Sequence, residues 1–187
     1  MSSGVKNRNK NLLRILRCVE VRPINRSERA LWESLLRKYH YLGLRSLVGE
    51  SLRYMAVYQG HWPGLSGWSA AALKCKVRDQ WIGWPPLLQW QRLRLLANNT
   101  RFLILPRINI PNLAYRILAV NLKRLSRGWQ VLYGHSTWLV ESFVDPRFFK
   151  GTCYKAAGRV FLGHTRGSAK CHSCNQTQQR GQTHETI

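Results

Sequence analysis

Only eight Asp and Glu occur in the 187 residues of this chain, and three of them stand where a carboxylate could do chemistry. Glu141 lies inside the apolar run TWLVESFVDP, Asp145 ends that run, and Asp79 sits in RDQWIGW. A glutamate within an apolar strand is costly unless paired, so Glu141 must meet an arginine, a lysine or a water-filled cleft. Burial or a neighbouring carboxylate would raise its pKa and suit it to acid–base work, whereas a close arginine would lower it and make it structural. Four residues separate Glu141 from Asp145, which places both on one face of a strand about 13 Å apart. That is too far for a shared metal unless the chain bends; with Asp79 the pair would make an acidic trio of the nuclease kind. Tyr154, in GTCYK, is a candidate proton donor. Cys153 as a nucleophile would need His40 or His135 within reach, and a buried, inert thiol is the alternative.

A second group of residues suits phosphate and base contacts. Arg78, Trp81 and Trp84 cluster around a glycine turn, where paired aromatics beside an arginine can stack on unpaired bases or simply cap a core. Arg101 closes Asn98-Asn99-Thr100 at the mouth of a strand. Arg107 and Asn112 lie at its far end beside a helix start, whose orphan N–H groups can hold a phosphate. Pro106 and Pro111 occupy the region where a phosphate loop would place glycines, so ordinary capping stays open as an alternative. Lys155 and Arg166 each stand near a glycine, an arrangement suited to phosphate-backbone contacts.

The charge balance agrees with a polyanionic partner. Thirty Lys and Arg against eight acids leave a net charge of +22, and a polyanion relieves the resulting self-repulsion directly. From Met1 to Arg45 there are eleven basic residues against Glu20, Glu28 and Glu33; from Arg147 to Arg180 there are seven and no acid. At 44% hydrophobic with eight Trp, the chain can bury a core, which excludes disorder throughout. No apolar run reaches the roughly 20 residues of a membrane span, and the first ten residues lack the apolar segment of a secretory signal, so a cytoplasmic location is expected. Five cysteines, an odd number, argue against disulfide stapling. Cys171 and Cys174 form a C-x-x-C that needs two more ligands, which His164 and His184 could supply, before it becomes a zinc site; an incidental pair in a polar tail is the alternative. No metal is assigned, and the residues name no cofactor.

These residues need elements to position them. CVEVRP reads as a strand closed by Pro23. A helix follows Ser27, and LRYMAVY (52–58) is a strand that returns through a turn at His61-Trp62-Pro63-Gly64. A helix is predicted over 87–97, started by Pro85-Pro86 and stopped by Asn98-Asn99. RFLILP (101–106) then forms a central strand, Asn112 caps a core-facing helix that ends or bends at Gly128, and TWLVESFV (137–144) is a second central strand. Residues 151–163 are expected to form a short strand or hairpin. The reading is an α/β or α+β fold: a single mixed sheet of about six strands with helices on both faces. The domain spans 1–170, with a polar, disordered tail at 171–187.

The strings KYHYLG, RDQWIGW, NNTRFLILP, NLAYRILA, ESFVDPRFFKGTCYKAAG and FLGHTRG, in this order from Tyr39 to Gly167, resemble the Druantia anti-phage defence protein A family. That family is in turn distantly similar to Gcn5-related N-acetyltransferases. The second resemblance implies that RFLILP is the central strand, that Asn112 begins the helix holding coenzyme A pyrophosphate, and that Tyr154 is the general acid. The chain departs from the family pattern at Gly158-Arg159, where relatives have Asn-Trp, and in its short polar C-terminus. It also lacks the glycine-rich pyrophosphate loop of the acetyltransferases. The expectation is a DNA-binding component of anti-phage defence or of a mobile-element-associated system, contacting the phosphate backbone, single- or double-stranded DNA being unresolved, that can act with other defence-system proteins. The alternative is an enzyme, either acetyltransferase-like or a metal-dependent nuclease using Asp79, Glu141 and Asp145.

Overall fold

Helical spacing in two segments decides which faces the sheet must cover. In the helix Arg29–Tyr39 the residues four apart, Trp32 and Leu36, are fully buried. In the helix Leu113–Tyr133 the buried positions Leu113, Ile117, Leu118, Asn121, Leu125 and Trp129 recur at three- and four-residue intervals, as one stripe of an amphipathic helix requires. The computed structural model describes residues 2–167 and 180–186. It places these two helices on opposite faces of one mixed sheet.

In chain order the elements are α1 (Ser2–Cys18), β1 (Glu20–Pro23), a 3-10 turn and α2 (Arg29–Tyr39), β2 (Ser51–Tyr58), β3 (His61–Ala70), α3 (Lys76–Ile82), α4 (Pro86–Arg92), β4 (Leu96–Ile104), α5 (Leu113–Tyr133), β5 (Leu139–Val144), α6 (Thr152–Ala156), β6 (Val160–Gly167) and β7 (Arg180–Thr186). The sheet has seven strands in the order β1-β2-β3-β4-β5-β7-β6. Every neighbouring pair is antiparallel except β4 and β5, which run parallel.

The larger core lies between the sheet and α5, where Tyr54, Trp68, Ala97, Ile117, Trp129 and Val140 pack together with Leu16 of α1. A second core lies under α2 and joins Trp32 and Leu36 to Met55, Leu65 and Leu103, and a third, of Leu118, Val144 and Tyr154, lies beside α5. Asn121 fastens α5 to β3: its Oδ1 accepts from Ser66 Oγ at 3.2 Å and from Trp68 Nε1 at 3.3 Å.

Six local expectations change. Residues 2–18 form a helix that the sequence analysis does not predict. The β2–β3 turn falls at Gln59-Gly60, both with positive φ (49° and 76°), as a two-residue hairpin loop requires, so 61–64 already belong to β3. The helix expected to run to residue 97 ends at Arg92, and Asn98-Asn99 are buried inside β4 rather than stopping a helix. Gly128 neither ends nor interrupts α5. A Cβ there would lie 2.8 Å from Tyr54 Oη, so glycine lets β2 approach the helix. Residues 152–156 form α6 where a strand was expected, and residues 180–186, set aside as part of a polar tail, form a strand between β5 and β6.

Candidate active site

The site arises where two strands part. The parallel ladder of β4 and β5 runs from Leu96 and Leu139 to Asn99 and Ser142 and then stops. Beyond it β4 continues along β3 to Ile104, while Phe143 and Val144 pair only with β7. The parting coincides with a β-bulge. Gly67 pairs with Arg101 and Trp68 with Asn99, which leaves Thr100 as the extra residue and bends β4. The opening is a cleft of about 430 Å³. Its walls include both Phe102 and Leu103, successive strand residues that point to opposite faces of the sheet. The cleft therefore passes through the sheet at the edge of β4. On the α2 side it is lined by Tyr39, His40, Tyr41 and Phe149; on the α5 side by Ala114, Cys153 and Tyr154.

Tyr154 stands at the apex. Its hydroxyl donates to Asn99 Oδ1 at 2.8 Å, and Asn99 Nδ2 donates to Gly67 O at 3.2 Å, which fixes the amide. Burial, followed by the neighbouring Cys153, pushes the Tyr154 phenol above its ordinary range, so it keeps its proton at neutral pH. Arg159 lies over the rings of Tyr154 (5.2 Å) and Trp68 (5.4 Å) and donates to Ser142 Oγ at 2.9 Å. His40 is buried against the opposite wall. Burial first, and then the Arg101 charge, lower its pKa to about 4. Its Nδ1 accepts the Leu42 N–H at 3.2 Å, which leaves the ring proton of the neutral form on Nε2. Among the described residues no Asp or Glu lines the cleft.

The segment between Ile104 and Ala114, which line the cleft, contributes backbone features in place of side chains. Arg107 (φ 69°) and Asn112 (φ 62°) are left-handed without being glycine, a conformation that costs energy and recurs at functional loops. Asn112 precedes α5 but makes no side-chain cap. The Leu113 amide turns back to Ile110 O, so the amides of Ala114 and Tyr115 are the helix-start donors that the ladder leaves over.

A second polar cluster occupies the other face of the same strands and is closed by charge. Glu141 is fully buried: Oε1 accepts the Ala72 N–H at 2.9 Å and Oε2 accepts from Arg78 Nη1 at 3.0 Å. Arg78, also fully buried, donates to Ala72 O at 2.8 Å and through Nε to Asp79 Oδ1 at 2.8 Å. Burial pushes the Glu141 carboxyl up, while Arg78 and the Ala72 amide pull it back.

The remaining predicted residues scatter. Asp145 is clasped by Arg147, at 2.6 Å to Oδ2 and 3.0 Å to Oδ1, away from the Arg78 cluster. Trp81 is exposed on α3, and Trp84 lies under Arg92 at 5.5 Å. Arg101 is engaged by backbone, donating to Gly43 O at 3.0 Å and Thr100 O at 2.6 Å. Arg107, Asn112 and Lys155 are exposed, and Arg166 lies on β6 with its side chain outside the description. His164 packs on Phe161, whereas Cys171 and Cys174 lie outside the described residues.

Two expectations fall with this geometry. The acidic trio is not a metal site: Asp79 and Glu141 share one arginine, Asp145 holds another, and no described group of three His, Cys, Asp or Glu could hold an ion. The phosphate-contacting set is likewise no single surface, because Arg78 and Arg101 are bound up inside the fold. The side chains that sequence reasoning did not connect are Asn99, Ser142 and Arg159. Their partners lie 17 to 55 residues away, and no local pattern marks them.

No curated protein sequence matches the chain. Among solved structures it is similar to a Vibrio cholerae spermidine N-acetyltransferase SpeG, at 12% identity over 91% of this chain and 94% of that one, with a TM-score of 0.59. It is similar to a Streptococcus pneumoniae acetyltransferase of the GNAT family at 13% identity, over 90% and 98%, with a TM-score of 0.59. An aminoglycoside acetyltransferase in complex with coenzyme A and kanamycin is similar at 12% identity, over 90% and 94%, with a TM-score of 0.57. The mixed sheet flanked by helices is thus an acetyltransferase-like fold, and this likeness corrects the expectation of a DNA-binding component. Among the described residues no helix is long and apolar enough to cross a membrane. The family model of Druantia protein DruA matches residues 3–184, almost the whole chain, and the chain belongs to that family.

Proposed function

We propose that the chain is an acyltransferase of the coenzyme A-dependent kind, with its reaction at the apex of the cleft between β4 and β5. The observation that supports this most is the parting of the strands after Asn99 and Ser142, with a protonated tyrosine hydroxyl held at the parting point. An opening through the sheet lets two ligands meet from opposite faces, which a two-substrate transfer needs. The similar structures are of acetyltransferases, one with bound coenzyme A and kanamycin, which favours the same class.

The residues present fit coenzyme A. Left-handed backbone at Arg107 and Asn112 takes the place of glycines, the amides of Ala114 and Tyr115 would hold the pyrophosphate, and the apolar edge of β4 at Phe102 and Ile104 would flank the arm. When bound, its thioester supplies the activated acyl group. Tyr154 holds a proton at Oη for a leaving group at the apex, and Asn99 Oδ1 orients that hydroxyl. His40, neutral and protonated at Nε2, presents a donor rather than a base. The acceptor wall is aromatic and has no carboxylate among the described residues, so polycationic acceptors such as spermidine or kanamycin find no counter-charge there. A neutral or planar amine suits it better. A cytoplasmic setting suits this reading, with reduced thiols at Cys18, Cys75 and Cys153.

The test is thiol release from acetyl-CoA against a panel of amines. We expect turnover with arylamines at least tenfold above that with spermidine, and no thiol release with any amine would overturn the reading.

A further inference from the structure

A second concavity lies far along α5 from the cleft, where β1 ends early. β1 stops at Pro23, paired with Tyr54, and beyond it the edge of β2 is held only by the Ile24 N–H, which donates to Arg53 O at 3.0 Å, and by the Tyr133 hydroxyl, which bonds the backbone of Ser51. That edge, the 3-10 turn after β1 and one face of α5 enclose a groove of about 740 Å³, the size of a small-molecule site. Six cations line it: Arg26 and Arg29 on one side, Arg53 on the sheet edge, and Lys123, Arg124 and Arg127 on α5. No described Asp or Glu does. The nearby carboxylates are engaged elsewhere: Glu28 is gripped by Arg22 at 2.7 and 2.9 Å, and Glu33 is shared by Arg29 and Arg37. Arg124 donates one N–H to Val21 O.

Arg53 marks where an anion is missing its place. Its guanidinium lies 5.6 Å from the Trp32 ring centre, and its Nε is buried with no hydrogen-bond acceptor, a condition that native interiors rarely leave standing. Burial and the Arg29 charge both weigh against its cationic form, and the charge of an anion in the groove would offset them. Beside these cations the groove offers apolar surface: Leu52 beneath, with Val131 and Leu132 exposed by 76% and 58% on α5. Converging guanidinium forks match phosphate oxygens, and the apolar wall matches a ligand with a hydrophobic or planar body.

We propose that this groove binds a nucleotide-sized phosphate ester, its phosphates between Arg53 and the α5 cations and its body against Val131 and Leu132. The site is separate from the acyl-transfer cleft and does not rest on that reading.

The experiment is calorimetric titration of the full chain with ATP, inorganic triphosphate and adenosine, at an ionic strength near 0.15 M. ATP is expected to bind one to one, adenosine not to bind, and triphosphate to bind at least fivefold more weakly than ATP. Arg127→Gln and Lys123→Gln alter exposed side chains and leave the fold intact; each is expected to weaken ATP about tenfold, the size of one charged hydrogen bond. Ala114→Trp, which fills the other cleft, is expected to leave ATP binding unchanged. The proposal is overturned if ATP fails to bind, if Arg127→Gln and Lys123→Gln bind it like the unaltered chain, or if Ala114→Trp abolishes binding. Triphosphate binding as tightly as ATP would overturn the role of the apolar wall.

Discussion

Two polar clusters share the same pair of strands, one residue apart, and differ in almost everything else. Asn98 and Glu141 pair across the β4–β5 ladder and face α3, where Glu141, Arg78 and Asp79 close on one another and on the backbone of residue 72. Asn99 and Ser142 are the next pair and face α5 and α6, where Tyr154 and Arg159 meet them. In the first cluster Glu141 and Arg78 are fully buried and matched in charge, with Asp79 at its partly exposed rim, so it can hold α3 to the sheet. The second ends in a hydroxyl at the edge of an opening. Because successive strand residues face opposite ways, one ladder carries a charged clamp on one side and the proposed reaction site on the other.

Removing one partner from each cluster separates the two roles. Glu141→Ala leaves Arg78 buried without its main counter-ion and should destabilise the fold by about 3 kcal/mol or more in urea unfolding. A loss below about 1 kcal/mol would mean that the clamp is not structural. Tyr154→Phe should do the reverse: stability down by only about 1–2 kcal/mol, the cost of the Asn99 Oδ1 left without its donor, but turnover down at least a hundredfold, about 2.7 kcal/mol of barrier. Unchanged turnover would remove Tyr154 from the chemistry.

The neutral side also has a pH signature. Folding lowers the His40 pKa from 6.5 to about 4, so the unfolded chain binds more protons between those values. Stability contributed by keeping His40 neutral is therefore complete above pH 6.5 and is lost as pH falls toward 4, with a steepest slope of about 1.4 kcal/mol per pH unit. His40→Gln should flatten urea midpoints across that window. The smallest effect belongs to the partly exposed Arg22–Glu28 pair. Arg22 and the Asn25 amide lower the Glu28 pKa to about 2, so its contribution holds above pH 4.5 and fades as pH falls toward 2. Glu28→Gln should cost about 1 kcal/mol or less at pH 7 and nothing measurable near pH 2.

Much of the scaffold was legible because it is periodic. Ile117 and Leu125, and the runs LRYMAVY and LVESFV, announce their elements by spacing alone, whereas in α2 the spacing marks a helix but suggests the face of Ala30, Leu31 and Leu35 in place of the buried Trp32 and Leu36. The chain's length of mixed α and β segments also led to a single mixed sheet, and Tyr154 entered as a candidate through its resemblance and its hydroxyl. What stayed hidden depends on distant partners. Asn98-Asn99 resembles a helix stop because nothing nearby satisfies two amides; in the fold Asn99 is satisfied by Gly67 and Tyr154. The hairpin turn was placed two residues late because Gln59, not a typical left-handed residue, takes φ 49° beside Gly60. Pro63 suggested a turn, but it sits inside β3 beside an irregularity in its pairing with β2, where a proline is tolerated. Arg78 and Glu141 sit 63 residues apart in sequence, so a charge pair that decides whether Glu141 is structural could only be seen once α3 was docked on β5.

The central claim is that the parting of β4 and β5 receives an acyl-CoA. Its most direct test is calorimetric titration of the unaltered chain and of Ala114→Trp with acetyl-CoA. The account predicts saturable one-to-one binding that the tryptophan abolishes; no binding, or binding that Ala114→Trp leaves unchanged, would contradict it.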